Sequence, residues 1–467
     1  MDVPRKRALM HFHELAITNA KDLVFGRAPH PVTTRRGLVI GGGMIYPELN
    51  FTLPPMEVNE ATLPDVKAHY HQIVSEALKR AQELHAPGMI FEFETLLEMT
   101  MSPHIGVELV ELMNELCEEA FQKSGFRSEI RLTPNDTRDF DRPPRMRTAR
   151  HLDAMFELFE RGAAAGGDLL SIESTGGKEV HDDALLLCDI KSVTFALAVL
   201  GVRDMRFLWK RIVEVARRTG RIPGGDTACG FANTAMVLAE KGFIPKIFAA
   251  LVRVISVVRT LVAVEEGAVG PDKDCGYEGP YLKAITGIPI SMEGKTSACA
   301  HSSPVGNVAA ACADLWSNES VQNVKLLGGY APTVYLEQLE YDARFMNRAI
   351  RDGPSTVLKV QELLVESDVH LDPQAFVLAP SHVIEVAKEM VKARTHLEAA
   401  RRGALCALAL MEVAIQDKAL LLSEQERDWI PRLRDELGEI PDDESTFVEM
   451  MLPTLDLAKT IPAEYGL

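Results

Sequence analysis

Basic charge is in short supply in this chain: Lys and Arg number 50 against 67 Asp and Glu, a formal net charge of −17 over 467 residues. Aromatic residues are only 6% of the composition and no basic stripe interleaves with them, which argues against a nucleic-acid partner. The first residues, "MDVPRKRALMHFHELAI", lack the unbroken apolar core of a signal peptide. The longest greasy stretch, "FIPKIFAALVRVISVVRTLVAV", carries Lys246, Arg253 and Arg259. It is expected to be a buried or amphipathic helix running into a strand, not a membrane span. Seven scattered cysteines, an odd number, make no disulfide framework. The expectation is a cytoplasmic protein with reduced thiols, where an accessible cysteine serves metal binding or catalysis. Walker, HExxH and CxxC motifs are missing too. "GLVIGGGMIYP" (37–47) has three consecutive glycines but no GxGxxG, so it reads as a turn and not as a phosphate cradle.

What the chain does have is alternation. From about residue 86, short apolar runs precede longer helical patterns: "MIFEFE" (89–94), "EIRLTP" (129–134), "DLLSIEST" (168–175), "GRIPGGD" (220–226), "TLVAVEEG" (260–267), "GIPISME" (287–293) and "VKLLGGY" (324–330). Each run ends in a polar or glycine-rich turn. Strands alternating with helices point to a parallel α/β arrangement, and functional turns after every strand point to a (β/α)8 TIM barrel. A doubly wound open sheet is the competing fold, weakened by the missing dinucleotide fingerprint. The eighth strand is the weakest, with "AFVLAP" (375–380) as a candidate. The expected organisation is a partly helical N-terminal extension (1–85, with a helix near 59–84), the barrel (86–380) and a C-terminal helical segment packed on it (381–467).

Two cysteines occupy unusual company. Cys229 lies in "GGDTACGFANTAM" and Cys275 in "GPDKDCGYEGPY", tight Gly- and Asp-rich turns, whereas Cys188, Cys312 and Cys406 sit in apolar runs. Glu173 closes "LLSIE" at another strand end. These three follow different strands, and a barrel brings such residues to one face. One carboxylate and two thiolates can supply three zinc ligands and leave a fourth position open; soft sulfur selects zinc over magnesium, calcium or manganese. A thiol near the helix start at Gly230 would also ionise more easily. Spacing alone leaves the plain alternative standing, that both cysteines are small residues packed in loops.

The segments "SIESTGGKEVHDDAL", "GGDTACGFANTAMVLA" and "EEGAVGPDKDCGYEGPYLKAITG", with "FEFETLLEMTMSPH" and the overall length, resemble the methanol:corrinoid methyltransferases of methanol-using archaea and acetogenic bacteria. The resemblance implies a TIM barrel with one zinc per chain on Glu173, Cys229 and Cys275, and methyl transfer from methanol to the Co(I) corrinoid of a partner corrinoid-binding protein. It also implies a homodimer within a heteromeric complex. The chain has no DxHxxG pattern, so cobalt is expected to come from that partner. Three anionic ligands against zinc's two charges would hold methanol still protonated, unlike a neutral three-His site. Asp226 and Glu265 are the candidates for a supporting or acid role, as each closes an apolar run. Asp182, Asp183, Asp274 and Glu266 read as solvated loop carboxylates, caps or ion-pair partners. His301 and Cys299 are left outside the metal set. The alternatives are a corrinoid methyltransferase for a methoxylated aromatic or other small donor, a zinc hydrolase on the same barrel, and a structural metal or thiol site in a binding protein.

Overall fold

A computed structural model of the chain describes residues 9–53, 56–294, 304–320, 325–326 and 329–467. The antiparallel hairpin β1 (Arg27–Thr33) and β2 (Val39–Gly42) comes first. The parallel strands β3 (Tyr46–Phe51), β4 (Met89–Glu94), β5 (Ser128–Thr133), β6 (Leu169–Ile172), β7 (Ile222–Asp226), β8 (Ser291–Glu293) and β9 (Leu315–Ser320) follow, with helices between them. They form one seven-stranded sheet in the order β7-β6-β5-β4-β3-β9-β8. Sequential strands lie side by side from β3 to β7, the neighbour order expected of successive β–α–β units.

The expected α/β class holds, and several boundaries move. β3 lies centrally in the sheet, between β4 and β9, so the expected start at residue 86 cuts the sheet. "TLVAVEEG" is no strand: a single helix runs Lys246–Glu266. Its apolar character on all sides, which made periodicity uninformative, reflects burial on every face; 94% of its most apolar window is inside the protein. This is also the one helix among the described residues long and apolar enough to cross a membrane by length and composition. The chain that follows it supplies what the helix does not. Val269 and Gly270 donate to the carbonyls of Pro223 and Gly224 on β7, and Asp272 accepts from the Ser291 amide of β8. Residues 268–274 therefore bridge the two edges of the sheet. "AFVLAP" forms the helix Pro373–Leu378 with the start of Pro380–Met390, and in "VKLLGGY" the pairs Lys325–Leu326 and Gly329–Tyr330 join antiparallel outside the main sheet. The strand actually used there is Leu315–Ser320, whose inward Ser317 hid its β character.

Along β4 the side chains alternate as a strand's must. Phe91 and Phe93 enter the main core, and Ile90 joins a small cluster with Leu38, Ile40, Tyr46, Leu169 and Leu315. Glu48 of β3 meets Arg131 of β5 and accepts from Ser291 and Ser317, making a buried polar layer inside the sheet. The β1–β2 hairpin covers the N-terminal strand ends: Arg36 pairs with Glu129 at 3.0 Å and Arg35 with Asp168 at 2.7 Å. The glycine run is only partly the expected turn: Gly41 and Gly42 end strand β2, Gly42 pairing with Arg27, and the chain bends at Gly43, with Gly41 and Gly43 at φ +78° and +105°. That leaves the C-terminal strand ends for the site.

Candidate metal centre

Glu173 follows β6 directly, Cys229 is the first residue of the helix Cys229–Glu240 after β7, and Cys275 ends the bridging segment, paired by an isolated antiparallel bridge to Met292 of β8. Three loops far apart in sequence thus meet at one end of the sheet. One carboxylate oxygen of Glu173 and the two Sγ atoms all lie within 4.8 Å of one another, close enough for one ion to engage the three. Cys275 is buried, whereas Cys229 and Glu173 are partly open. Asn233 Nδ2 donates to Cys229 Sγ at 3.1 Å. The donor set, two sulfurs and one carboxylate, fits a thiophilic divalent ion such as zinc.

Around these three the charge is dense. Lys273, 1% exposed, sits 2.8 Å from Glu173, 2.7 Å from Asp274, 3.2 Å from Glu94 and 3.6 Å from Glu92. Burial pushes the Glu173 carboxyl up, the Lys273 ammonium pulls it back and Glu94 pushes again, leaving it at about 7. Cys275 Sγ donates to Glu293 at 2.8 Å, as Tyr277 does at 3.1 Å. Asp274, Cys275 and Glu293 form a second buried group sharing Cys275. Beside Glu173 opens a cavity of about 200 Å³ that is also lined by Glu94, Asn135, Asp136 and Asp139.

Asp226 is buried at the end of β7, but both its oxygens are engaged: Ser174 N at 3.1 Å, Ser174 Oγ at 2.9 Å, Thr227 N at 2.9 Å and Trp209 Nε1 at 2.7 Å. It faces the loops rather than the cavity. Burial pushes its pKa up to about 6 while Arg259 and these donors pull down. Glu265 is a correction: it closes a helix, not a strand, and is held by His396 at 3.1 Å, by Arg206 at 3.3 Å and by the His11 amide. Asp182 and Asp183 pair with Lys178 and Lys459, as a surface reading expects, but Asp274 is wholly buried against Lys273. His301 and Cys299 lie outside the described residues. Reading the sequence missed Lys273, Glu92, Glu94 and Asp139. The alternating "FEFE" of β4 did carry a signal, since period 2 puts both carboxylates on one face.

These features define an α/β fold with an acidic, dithiol-bearing candidate metal site at the C-terminal ends of a parallel sheet, where such folds place their chemistry. A family described as methanol-cobalamin methyltransferase B subunit matches residues 9–466. The methanol–corrinoid protein co-methyltransferase of Methanosarcina barkeri is 36% identical over 447 residues, 95% of each chain. The crystal structure of the methanol:cobalamin methyltransferase complex MtaBC from Methanosarcina barkeri superposes with a TM-score of 0.93 at 34% identity, covering 98% of this chain and 99% of that one. The chain belongs to the methanol-cobalamin methyltransferase B subunit family.

Proposed function

We propose that this chain transfers the methyl group of methanol to the Co(I) corrinoid of a separate corrinoid protein, using one zinc held by Glu173, Cys229 and Cys275. The convergence of those three side chains carries the reading. In the net reaction the C–O bond breaks, a cobalt–carbon bond forms with the electron pair of Co(I), and the departing hydroxide takes up a proton to become water. Bound zinc would supply Lewis acidity to the methanol oxygen. Lys273 holds the Glu173 carboxylate by a 2.8 Å ion pair and offsets the neighbouring acids. Asp139 lines the same cavity as Glu173; burial and the Asp136 charge push it up to about 6, a suitable value for the proton source. Asp226, with its oxygens occupied, positions loops instead. The cavity is lined mostly by carboxylates and other polar groups and offers an aryl ring little apolar surface, which favours a small polar donor such as methanol.

The family and the complex named above favour a corrinoid subunit docked on this chain, with the homodimeric, cytoplasmic arrangement as part of the same proposal. The test follows Co(I) absorbance with methanol and the reduced corrinoid partner, comparing zinc-loaded with metal-stripped protein. Loss of Co(I) in the loaded form alone supports the reading, and Cys229→Ala or Cys275→Ala should abolish both zinc and turnover. No loss with methanol, but rapid loss with a methoxylated aromatic, would replace methanol as the donor.

A further inference from the structure

The helix Lys246–Glu266 wholly buries two arginines, Arg253 and Arg259, and the second touches the loops of the candidate metal centre. The Arg259 guanidinium is wholly buried. Its Nη2 donates to the Ser174 carbonyl at 3.0 Å and to Ser174 Oγ at 2.8 Å, and its Nη1 reaches the Thr227 carbonyl at 3.3 Å. It lies 4.2 Å from the Phe231 ring centroid. Ser174 follows Glu173; Thr227 and Phe231 flank Cys229 by two residues on either side. From the opposite side Asp226 receives the Ser174 amide, the Ser174 hydroxyl and the Thr227 amide. Every polar group of Ser174 is therefore gripped between one cation and one anion.

The third loop is tied to the same turn of helix. Glu278, three residues after Cys275, accepts from the Ala228 amide at 2.6 Å and from the hydroxyl of Thr260, the neighbour of Arg259, at 2.9 Å. Room for the guanidinium comes from the π-helical stretch Ala196–Gly201: a β-carbon on Gly201 would stand 3.2 Å from Arg259 Nε. A methionine of similar bulk would fill this space and leave the Ser174 and Thr227 carbonyls without their donor. Burying a guanidinium costs free energy that packing alone does not return. We infer that Arg259 is a positioning residue: with Asp226 and Glu278 it locks the loops of Glu173, Cys229 and Cys275 into the spacing that binds the metal. The inference rests on the zinc site proposed above.

The experiment measures zinc dissociation constants by chelator competition for the wild-type chain, Arg259→Lys, Arg259→Met and Ser174→Ala. Thiolate-to-cobalt absorption of the Co(II)-substituted proteins and thermal midpoints of the zinc-free proteins are recorded alongside. Leu433→Ala, in the buried face of the helix Trp429–Gly438, serves as a purely destabilising control. Both Arg259 variants should weaken zinc binding roughly 10- to 100-fold, as loss of partners behind metal ligands does, and should alter the cobalt spectrum. Ser174→Ala, which removes only the shared hydroxyl, should weaken it roughly fivefold and keeps the test open if the arginine variants do not fold. The control should lower the midpoint and leave zinc affinity alone. Wild-type affinity and spectrum in folded Arg259→Lys and Ser174→Ala would overturn the clamp while leaving the zinc site standing. A wild-type chain that takes up no zinc would overturn the site itself, and the clamp with it.

Discussion

Arg138 offers a test of how the cavity wall is held. It lies in the short helix Thr137–Phe140 after β5 and is fully buried with two carboxylates. Nε and Nη2 meet the two oxygens of Asp136 at 2.8 Å each, Nη1 and Nη2 meet those of Asp204 at 2.8 and 2.9 Å, and Nη1 also reaches the Met146 carbonyl at 2.9 Å. Asp136 in turn accepts from the amide and hydroxyl of Thr175, two residues beyond Glu173. Burial alone would push both carboxyls up; Arg138 nonetheless holds Asp136 below its ordinary range, while Asp204 stays raised. One cation thus serves two buried anions, and Arg138→Met leaves both unpaired. Breaking a buried pair costs about 3–5 kcal/mol. At roughly 2.1 cal/mol/K per residue, a chain of this length unfolds with about 1 kcal/mol/K of entropy, so the thermal midpoint should fall by about 3–5 °C. Scanning calorimetry of the zinc-free protein reads this directly. Adding Asp136→Asn and Asp204→Asn to Arg138→Met removes the stranded charges and should restore most of the loss. A single variant within 1 °C of wild type, or a triple variant no better than the single, would refute the argument that charge pairing rather than bulk holds this wall.

Asp139→Asn should retain full zinc content while kcat for methanol falls roughly 10²- to 10³-fold, the usual worth of a proton donor; an unchanged kcat would move the proton source elsewhere. Glu179, bonded by the Tyr465 hydroxyl, is pushed by burial from 4.5 to about 7 although that bond pulls the other way. Because the folded value is the higher, its contribution is full below about 4.5 and is lost as pH rises through about 7. Up to about 3 kcal/mol is at stake. The midpoint should therefore drop between pH 5 and 7.5 in wild type, and Glu179→Gln should flatten that slope; equal slopes would contradict the assignment. Glu265→Gln should leave methyl transfer within twofold of wild type, since its carboxylate serves His396 and Arg206 on the helical layer. A loss of a hundredfold would return it to the chemistry.

Strands that face the helices with apolar side chains were legible. β4, β5, β6 and β7 stand where their runs predict: Phe, Ile and Leu mark the first three, while β7, "IPGGD", shows itself by the glycine-rich turn that closes its short run. β9 was not, since Ser317 turns inward to a buried carboxylate and its polarity reads as loop. Nor was the stretch 268–274, where Gly270, Pro271 and Asp272 bridge the sheet edges with few apolar residues to show it. The opposite error befell "TLVAVEEG", whose β-branched residues look like a strand until the burial around the whole helix is known.

The same asymmetry runs through the site. Cys229 and Cys275 stood out as candidates because a thiol in a glycine-rich turn has little structural use, and family resemblance then set Glu173 beside them. Lys273 sat in plain view between two aspartates, yet "DKD" reads as a solvated charge run until the fold places its ammonium at 1% exposure among four carboxylates. Arg259 is the harder case: an arginine within an apolar run looks like the helix's wet edge, and nothing local says which carbonyls it will meet. Ligand type is a property of the residue and survives in sequence. Ligand spacing is a property of the contacts behind the residue, which here join a loop to a helix 85 positions away, Ser174 to Arg259. A metal centre can therefore be recognised from its donors, while the affinity of that centre is written in side chains that recognition passes over.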